Sequence, residues 1–183
     1  MILELDGCAV RSLRTDDAPS LSRHANNRNI WLNLRDAFPH PYTDRDGITF
    51  IRDALTMSPE CRFAIDVGGE AVGCIGFVLH GDVERVSAEL GYWLSEEHWG
   101  RGITTQAVVA VTDFAIGRHG LTRVYAVPYE WNSPSARVLE KAGYTLEGRM
   151  RRSAIKDGKI VDQLLYAFVV PGEEAANSNG GRP

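Results

Sequence analysis

The chain of 183 residues is poor in the features that mark metalloproteins and disulfide-rich domains. Its three cysteines, Cys8, Cys61 and Cys74, are scattered, odd in number and outside any Cys-x-x-Cys spacing. This usage favours reduced thiols that are buried as small apolar side chains. The five histidines show neither His-x-His nor His-x-x-x-His spacing. We therefore expect no metal site.

Long apolar runs and concentrated positive charge are also missing. No stretch approaches the about 20 apolar residues that a membrane span requires, and the first six residues carry acid where a secretory signal carries base. The net charge is -4, and the basic cluster of Arg149, Arg151 and Arg152 is short and interrupted. Nucleic acid is thus a poor partner. The chain has 44% hydrophobic and 24% charged residues, which is typical of a globular protein, and its length is that of one domain. We expect a cytoplasmic protein.

The hydrophobic pattern changes repeatedly between the strand and the helix period. Strands are expected at residues 10–14, 62–67, 71–79, 87–94, 122–127, 144–151 and 160–169. Helices are expected at 15–26, at 43–57, in the long apolar-periodic segment that opens at 99–105 and ends at Gly120, and at 133–142, the last with Ser133 as N-cap and Pro134 in its first position. The aromatic-rich segment 27–43 has neither period and is expected to be a functional loop. The polar composition from residue 171 onward predicts a disordered tail after a domain of residues 1–170.

The segment Trp99–Thr105 reads WGRGITT, follows a strand-like run and opens the longest predicted helix. Glycines allow several successive N–H groups to converge in front of a helix N-terminus. The helix dipole adds about half a positive charge at the same place. The segment therefore suits a phosphate or a pyrophosphate. The alternative is a glycine-rich loop that serves only as a helix entry.

Three segments follow one another in an order that is typical of one protein family: AELGYWL at 88–94, WGRGITTQA at 99–107 and WNSPSARVLEKAGY at 131–144. A later LEG at 146–148 and a closing hairpin follow. Together they resemble the GNAT superfamily of acyl-CoA-dependent N-acyltransferases, within it the RimJ/RimL-like branch, over about residues 10–169. The resemblance implies an α/β (α+β) single domain. Its central sheet is mixed and mostly antiparallel, with a splayed parallel strand pair and about four flanking helices.

The resemblance also implies acetyl-CoA as the cofactor, no metal, and direct acetyl transfer to a primary amine in a ternary complex. Glu89, on the strand that enters the cleft, is the candidate general base, acting directly or through water; the alternative is a glutamate on the solvent face. Many family members protonate the leaving thiolate with a tyrosine where this chain has Leu139. In this branch Ser135 is the usual substitute, and the alternative is a plain first-turn serine. Trp99 and Thr104 also depart from the usual pyrophosphate signature.

Two sets of binding residues follow from the resemblance. The cofactor set contains Trp93, Leu94, Gly100, Arg101, Gly102, Ile103, Thr104, Thr105, Asn132, Ser135 and Lys141. The acceptor set lies in the aromatic-rich segment and contains Trp31, Asn33, Arg35, Phe38, His40 and Tyr42. The alternatives are helix capping for Asn132, a solvated Lys141, and loop aromatics that only pack on the core.

The same residues bear on other functions. A dinucleotide-binding enzyme would need a glycine at Thr105 and an acid where Val127, Pro128 and Tyr129 stand. A Walker nucleotide site would need Gly-Lys-Ser/Thr. The more serious alternative is a non-catalytic acyl-CoA-binding regulatory module. The acceptor amine, either a protein N-terminal α-amine or a small molecule, stays open, and a homodimer is a further expectation because dimers occur in this branch.

Overall fold

The computed structural model describes residues 1–172, so residues 173–183 of the expected disordered tail, which was predicted from residue 171 onward, lie outside the described residues. Within them, one mixed sheet of eight strands carries the fold. The strands are β1 (Ile2–Leu5), β2 (Cys8–Ser12), β3 (Arg62–Val67), β4 (Glu70–Leu79), β5 (Ser87–Leu94), β6 (Arg123–Ala126), β7 (Thr145–Lys156) and β8 (Lys159–Val169). They lie in the order β1-β2-β3-β4-β5-β6-β8-β7. The β5–β6 pair is parallel and the other pairs are antiparallel, which confirms the expected mixed, mostly antiparallel sheet.

Five α-helices occur in the described part of the chain: α1 (Ala18–Ala25), α2 (Arg28–Trp31), α3 (Asp44–Leu55), α4 (Ile103–His119) and α5 (Ser133–Lys141). The single-turn α2 and the short strand β1 were not expected from the pattern. The turn of α2 exists because the Asn27 side chain accepts hydrogen bonds from the backbone N–H groups of Asn29 and Ile30. None of these helices is both long and apolar enough to cross a membrane.

The expected N-cap of α5 is wrong by one residue. The Asn132 side chain, not that of Ser133, accepts the hydrogen bond from the Ser135 backbone N–H, at 3.2 Å. Ser133 therefore begins the helix and Pro134 takes its second position, where a missing N–H costs little.

The helices cover both faces of the sheet and create two cores. On one face, α4 and α5 bury side chains such as Val108, Val111 and Leu139 against the strands. On the other face, α1 and α3 pack Leu21 and Ile51 in a second cluster. Because side chains alternate along a strand, successive residues of β5 point into different layers.

A buried ion network joins β2 and β3 to the turn that precedes α1. The Arg11 guanidinium donates to both carboxylate oxygens of Asp17, at 2.7 and 2.8 Å, and to Asp66 at 2.7 Å. All three residues are buried. The hydrogen bonds to Asp17, together with those to Asp66, raise the pKa of Arg11 despite its burial. The network is therefore a charged, fully paired part of the core beside α1.

The parallel pair β5–β6 separates partway along its length. Pairing covers residues 87–89 of β5 with 123–125 of β6, whereas β5 continues to Leu94 and remains paired to β4 on its other edge. Beyond β6 the chain turns towards β8, where the Leu164 N–H donates to the Pro128 carbonyl at 2.9 Å. The separation leaves a gap in the sheet, which we call the strand gap, between residues 90–94 and the end of β6.

Candidate active site

The glycine loop presents an open helix N-terminus. Gly100 and Gly102 adopt left-handed backbone angles, with φ of 75° and 79°. Gly102 is the N-cap of α4, and no side chain of residues 1–172 caps this end of the helix. The first backbone N–H groups of α4, which have no partner within the helix, are therefore available to an anion.

Trp99 connects the glycine loop to the end of β5, beside the strand gap. Its indole N–H donates to the Leu94 carbonyl at 2.8 Å. This contact gives a physical role to the tryptophan that departs from the usual pyrophosphate signature: it positions the glycine loop at the end of β5.

A cleft of about 200 Å³, here the loop–helix cleft, lies between the glycine loop and α5. Its lining residues come from both elements: His98, Gly100, Gly102, Ile103, Thr104, Thr105, Pro134, Arg137, Val138 and Lys141. Burial lowers the pKa of His98, and the Arg101 charge adds to this effect. The side-chain cations of the lining are then Arg137 and Lys141, one helical turn apart on α5. The cleft combines a helix N-terminus with two cations, which suits a polyphosphate.

The structure brings together most of the predicted cofactor residues of the glycine loop with Lys141. Arg137 was missed by the sequence reasoning, although its i, i+4 spacing to Lys141 was a usable signal. Arg101 is exposed and does not line the cleft. Trp93 lies on the opposite face of the sheet, where its ring contacts Phe38 edge-on at 5.8 Å between centroids.

Ser135 meets a partner that the sequence reasoning also missed. Its hydroxyl lies 2.8 Å from the Tyr92 hydroxyl, and either oxygen can donate. Burial raises the pKa of Tyr92 to about 12, although the Ser135 hydrogen bond lowers it. The phenol is therefore protonated at neutral pH. The two hydroxyls form a hydrogen-bonded pair, here the hydroxyl pair, on the α4–α5 side of the sheet.

The backbone of Leu94 points into the strand gap. The Ser95 N–H donates to the Val72 carbonyl of β4 at 2.8 Å. N–H groups of successive strand residues point to opposite edges, so the Leu94 N–H points away from β4. It is positioned to donate to an oxygen held in the gap.

A larger cleft of about 460 Å³, here the acceptor cleft, opens on the other face of the sheet. It is lined by Arg35, His80, Glu84, Ser87, Glu89, Arg123, Tyr125, Val127, Met150, Gln163 and Leu165. The Glu89 side chain is 22% exposed and forms an ion pair with the Arg35 guanidinium. Glu89 thus faces a semi-enclosed cavity. It is separated from Tyr92 and Ser135 by the sheet, because odd and even residues of β5 point to opposite faces.

The predicted acceptor residues are mostly engaged in holding their own loop. The Trp31 ring stacks on His40, with centroids 5.6 Å apart, and the Phe38 ring packs at a tilt against Tyr42, with centroids 4.8 Å apart. Asn33 accepts a hydrogen bond from the Trp131 indole at 3.1 Å. Of the predicted acceptor set, Arg35 alone lines the acceptor cleft.

The hairpin between β7 and β8 holds this loop in place. The Lys156 side chain is fully buried, with its ammonium 3.8 Å from the Trp31 ring centroid and 2.7 Å from an Asp36 carboxylate oxygen. Arg28 and Asp157 form a second link at 2.8 Å. Neither link was predicted, since the partners are more than a hundred residues apart in the chain.

Residues 9–145 match the family model described as acetyltransferase (GNAT) domain. The chain is similar to a probable N-acetyltransferase of Bacillus subtilis, YjcK, with 30% identity over 90% of this chain and 95% of the relative. The ribosomal-protein-serine acetyltransferase of Escherichia coli is 30% identical over 61% of this chain and 62% of its own length.

Two solved structures that contain coenzyme A also share the fold. The ribosomal alpha-N-protein acetyltransferase RimL in complex with coenzyme A has a TM-score of 0.82 and 20% identity, over 93% of this chain and 98% of that chain. RimJ of Mycobacterium smegmatis in complex with a CoA-disulfide has a TM-score of 0.78 and 26% identity, over 88% of this chain and 81% of that chain. These matches agree with the fold described above. The chain belongs to the GNAT family of acyl-CoA-dependent acetyltransferases.

Proposed function

We propose that this protein transfers the acetyl group of acetyl-CoA to a primary amine by direct attack in a ternary complex. One observation carries the proposal: the strand gap lies between a cationic cleft on one face of the sheet and a carboxylate-bearing cleft on the other. Acyl donor and amine can then approach the same point of the sheet from opposite sides.

The residues of the loop–helix cleft suit the donor. The N-terminus of α4, Arg137 and Lys141 would hold its phosphates. The free edge of β5 offers backbone groups to an extended pantetheine arm, as in strand addition. One of the N–H groups of this free edge, between residues 90 and 94, would donate to the thioester carbonyl oxygen, where negative charge develops during attack.

The hydroxyl pair on the same face suits the leaving group. A thiol has an ordinary pKa of about 8.5, so a departing thiolate needs only modest stabilisation. A hydrogen bond from Ser135, itself hydrogen-bonded to Tyr92, would supply it. This pair takes the place of the tyrosine that the chain lacks at Leu139.

The position of Glu89 in the acceptor cleft suits it to binding the acceptor amine. Its carboxylate can attract a substrate ammonium and accept its proton, directly or through a bridging group. At pH 7, deprotonating an α-amine of pKa about 8 costs about 1.4 kcal/mol, whereas a lysine of pKa about 10.4 costs about 4.6 kcal/mol. We therefore propose an α-amine or a similarly acidic amine as the acceptor. The name of the Escherichia coli relative, a ribosomal-protein-serine acetyltransferase, supports a protein N-terminus as one candidate.

The test is a turnover assay that detects free coenzyme A thiol across a panel of peptides with free N-termini and of small amines. Calorimetry with acetyl-CoA measures donor binding independently. Turnover with at least one amine, lost in a Glu89→Gln, Ser135→Ala double variant that still binds acetyl-CoA, supports the proposal. Tight acetyl-CoA binding without turnover of any amine would instead support a regulatory module.

A further inference from the structure

A second group of titratable side chains lies in the acceptor cleft beside Glu89. His80 directly follows β4, and its Nε2 lies 2.9 Å from the Tyr125 hydroxyl. The two rings are nearly parallel, with an interplanar angle of 11° and centroids 5.6 Å apart. Both residues line the cleft. The proposed function above assigns no role to either.

Tyr125 is the neighbour of Glu89 across the parallel pair. The two residues are register partners on β6 and β5, and both line the acceptor cleft. A group that binds Glu89 in this cleft therefore lies next to the Tyr125 phenol. Beyond His80, the Glu84 carboxylate lies 4.0 Å from the imidazole Nδ1.

The protonation states follow from this geometry. Burial raises the pKa of Tyr125, and the negative charges of Glu89 and Glu84 add to the effect. The phenol keeps its proton at neutral pH and can donate it to His80 Nε2 when that nitrogen carries no proton. The imidazole proton then sits on Nδ1, on the side of Glu84. The arrangement is a chain of donors and acceptors that leads from the Glu89 side of the cleft to its rim.

We propose that Tyr125 and His80 form a proton relay that deprotonates the acceptor amine, while the Glu89 carboxylate holds the ammonium in place. This inference rests on the proposed function. The amine N–H bond breaks and its proton goes to the Tyr125 oxygen as the phenolic proton goes to His80 Nε2. The nitrogen keeps the electron pair and attacks the thioester carbonyl, after which the C–S bond breaks and the thiolate leaves with its electron pair, accepting the hydrogen bond from Ser135. The resulting imidazolium faces Glu84 and releases its Nδ1 proton to water.

Proton affinities favour this route over a carboxylate acting alone. An ordinary imidazole has a pKa of about 6.5 and an ordinary glutamate about 4.3, against about 8 for an α-amine. General base catalysis is most effective when the pKa of the base lies near the operating pH. The Glu89 carboxylate already forms an ion pair with the Arg35 guanidinium. A substrate ammonium can take the place of Arg35 in that pair, which suits Glu89 to binding the amine.

Few charged side chains surround the relay. Arg123, on the same strand as Tyr125, is held by Glu147 at 2.7 Å and lies over the Tyr125 ring at 5.7 Å. The residues that β7 and β8 contribute to the cleft carry no charge. The titratable and charged side chains that line the cleft around the relay are Arg35 from the loop after α2, Glu84 from the turn after β4, Glu89 from β5, and Arg123 from β6.

His80→Gln and Tyr125→Phe separate proton transfer from packing. Glutamine keeps a hydrogen-bonding group but cannot titrate near neutral pH, and phenylalanine keeps the ring but loses the hydroxyl. With an α-amine acceptor we expect each variant to lower kcat by roughly tenfold to a hundredfold at pH 7, with acetyl-CoA affinity retained. The rate should recover as the pH approaches the pKa of the amine. The double variant should be no slower than the slower single variant, because both act on one path.

Two further variants make the test specific. Glu89→Gln should raise the KM for the amine more than it lowers kcat, since the carboxylate binds the ammonium. His119→Gln is the matched control: this ring packs on Phe77 and Phe114 at the end of α4, outside both clefts, and its variant should keep the wild-type pH profile.

Each result decides between the two proposals. An active wild type whose His80→Gln variant keeps its rate and pH profile would overturn the relay and leave the proposed function standing. A rate loss that is equal at every pH, with a lowered Tm, would also overturn the relay, because it indicates that the pair only joins β4 to β6. A wild type that turns over no amine would overturn the proposed function and the relay with it.

Discussion

Gly102→Val tests the assignment of the glycine loop most directly. Gly102 is the N-cap of α4, with φ of 79°, and it lines the loop–helix cleft. A Cβ built there meets no heavy atom within 4 Å. The valine side chain therefore causes no clash in the free protein, but it occupies space in front of the helix N-terminus where the phosphates would bind.

Two separate effects are expected from this change. A left-handed conformation costs a non-glycine residue about 1–2 kcal/mol, more for a β-branched side chain. The free energy of unfolding should fall by that amount, and Tm by about 2–4 °C for each kcal/mol in a domain of this size. The strain is present with and without donor, so it leaves affinity unchanged. Obstruction of the phosphates acts on the complex alone and should weaken acetyl-CoA binding at least about tenfold, or about 1.4 kcal/mol.

Gly120→Val supplies the matched control. Gly120 follows the other end of α4, also has a positive φ, of 63°, and also faces open space. Its variant should lose similar stability and keep full acetyl-CoA affinity. Calorimetry with acetyl-CoA and thermal unfolding of both variants give the answer. Undiminished affinity in a folded Gly102→Val protein, or an equal loss of affinity in both variants, would refute the assignment.

Three further predictions concern the hydroxyl pair, the cations and the core. Ser135→Ala should lower the single-turnover rate roughly tenfold to a hundredfold at nearly unchanged acetyl-CoA affinity, and a normal rate would contradict its role. Lys141→Ala should weaken acetyl-CoA binding about threefold to tenfold at low salt and little at high salt, as titrations at two ionic strengths would show. Arg11→Met leaves Asp17 and Asp66 buried without their cation and should cost about 3–5 kcal/mol in urea unfolding; a loss below about 1 kcal/mol would argue against the network.

Features that depend on neighbouring residues could be predicted from the sequence. The glycine loop and the start of α4 depend on two glycines and the apolar period that follows them. The order of strands and helices, with the motifs at 99–107 and 131–144, was sufficient for the family and the mixed sheet. One error among these local features was the N-cap of α5, which is Asn132 because its side-chain oxygen reaches the Ser135 N–H.

Pairings between distant residues could not be predicted, because the local sequence around a residue does not indicate which strand or loop packs against it. Tyr92 and Ser135 are 43 positions apart, and Lys156 and Asp36 are 120 apart. The same limit applies to His80 and Tyr125, which meet only because the end of β4 lies beside β6 across β5.

The sequence by itself determined the family, the glycine loop before α4 and the residue types available for acetyl transfer, because these follow from local backbone preference and motif order. The tertiary structure decided which of those residues share a cleft. Side-chain alternation along β5 places Glu89 on one face of the sheet and Tyr92 on the other, and the early end of β6 opens the gap between them. Strand pairing and its termination are set by contacts across the whole sheet, so only the folded chain shows which side of the sheet each cleft occupies.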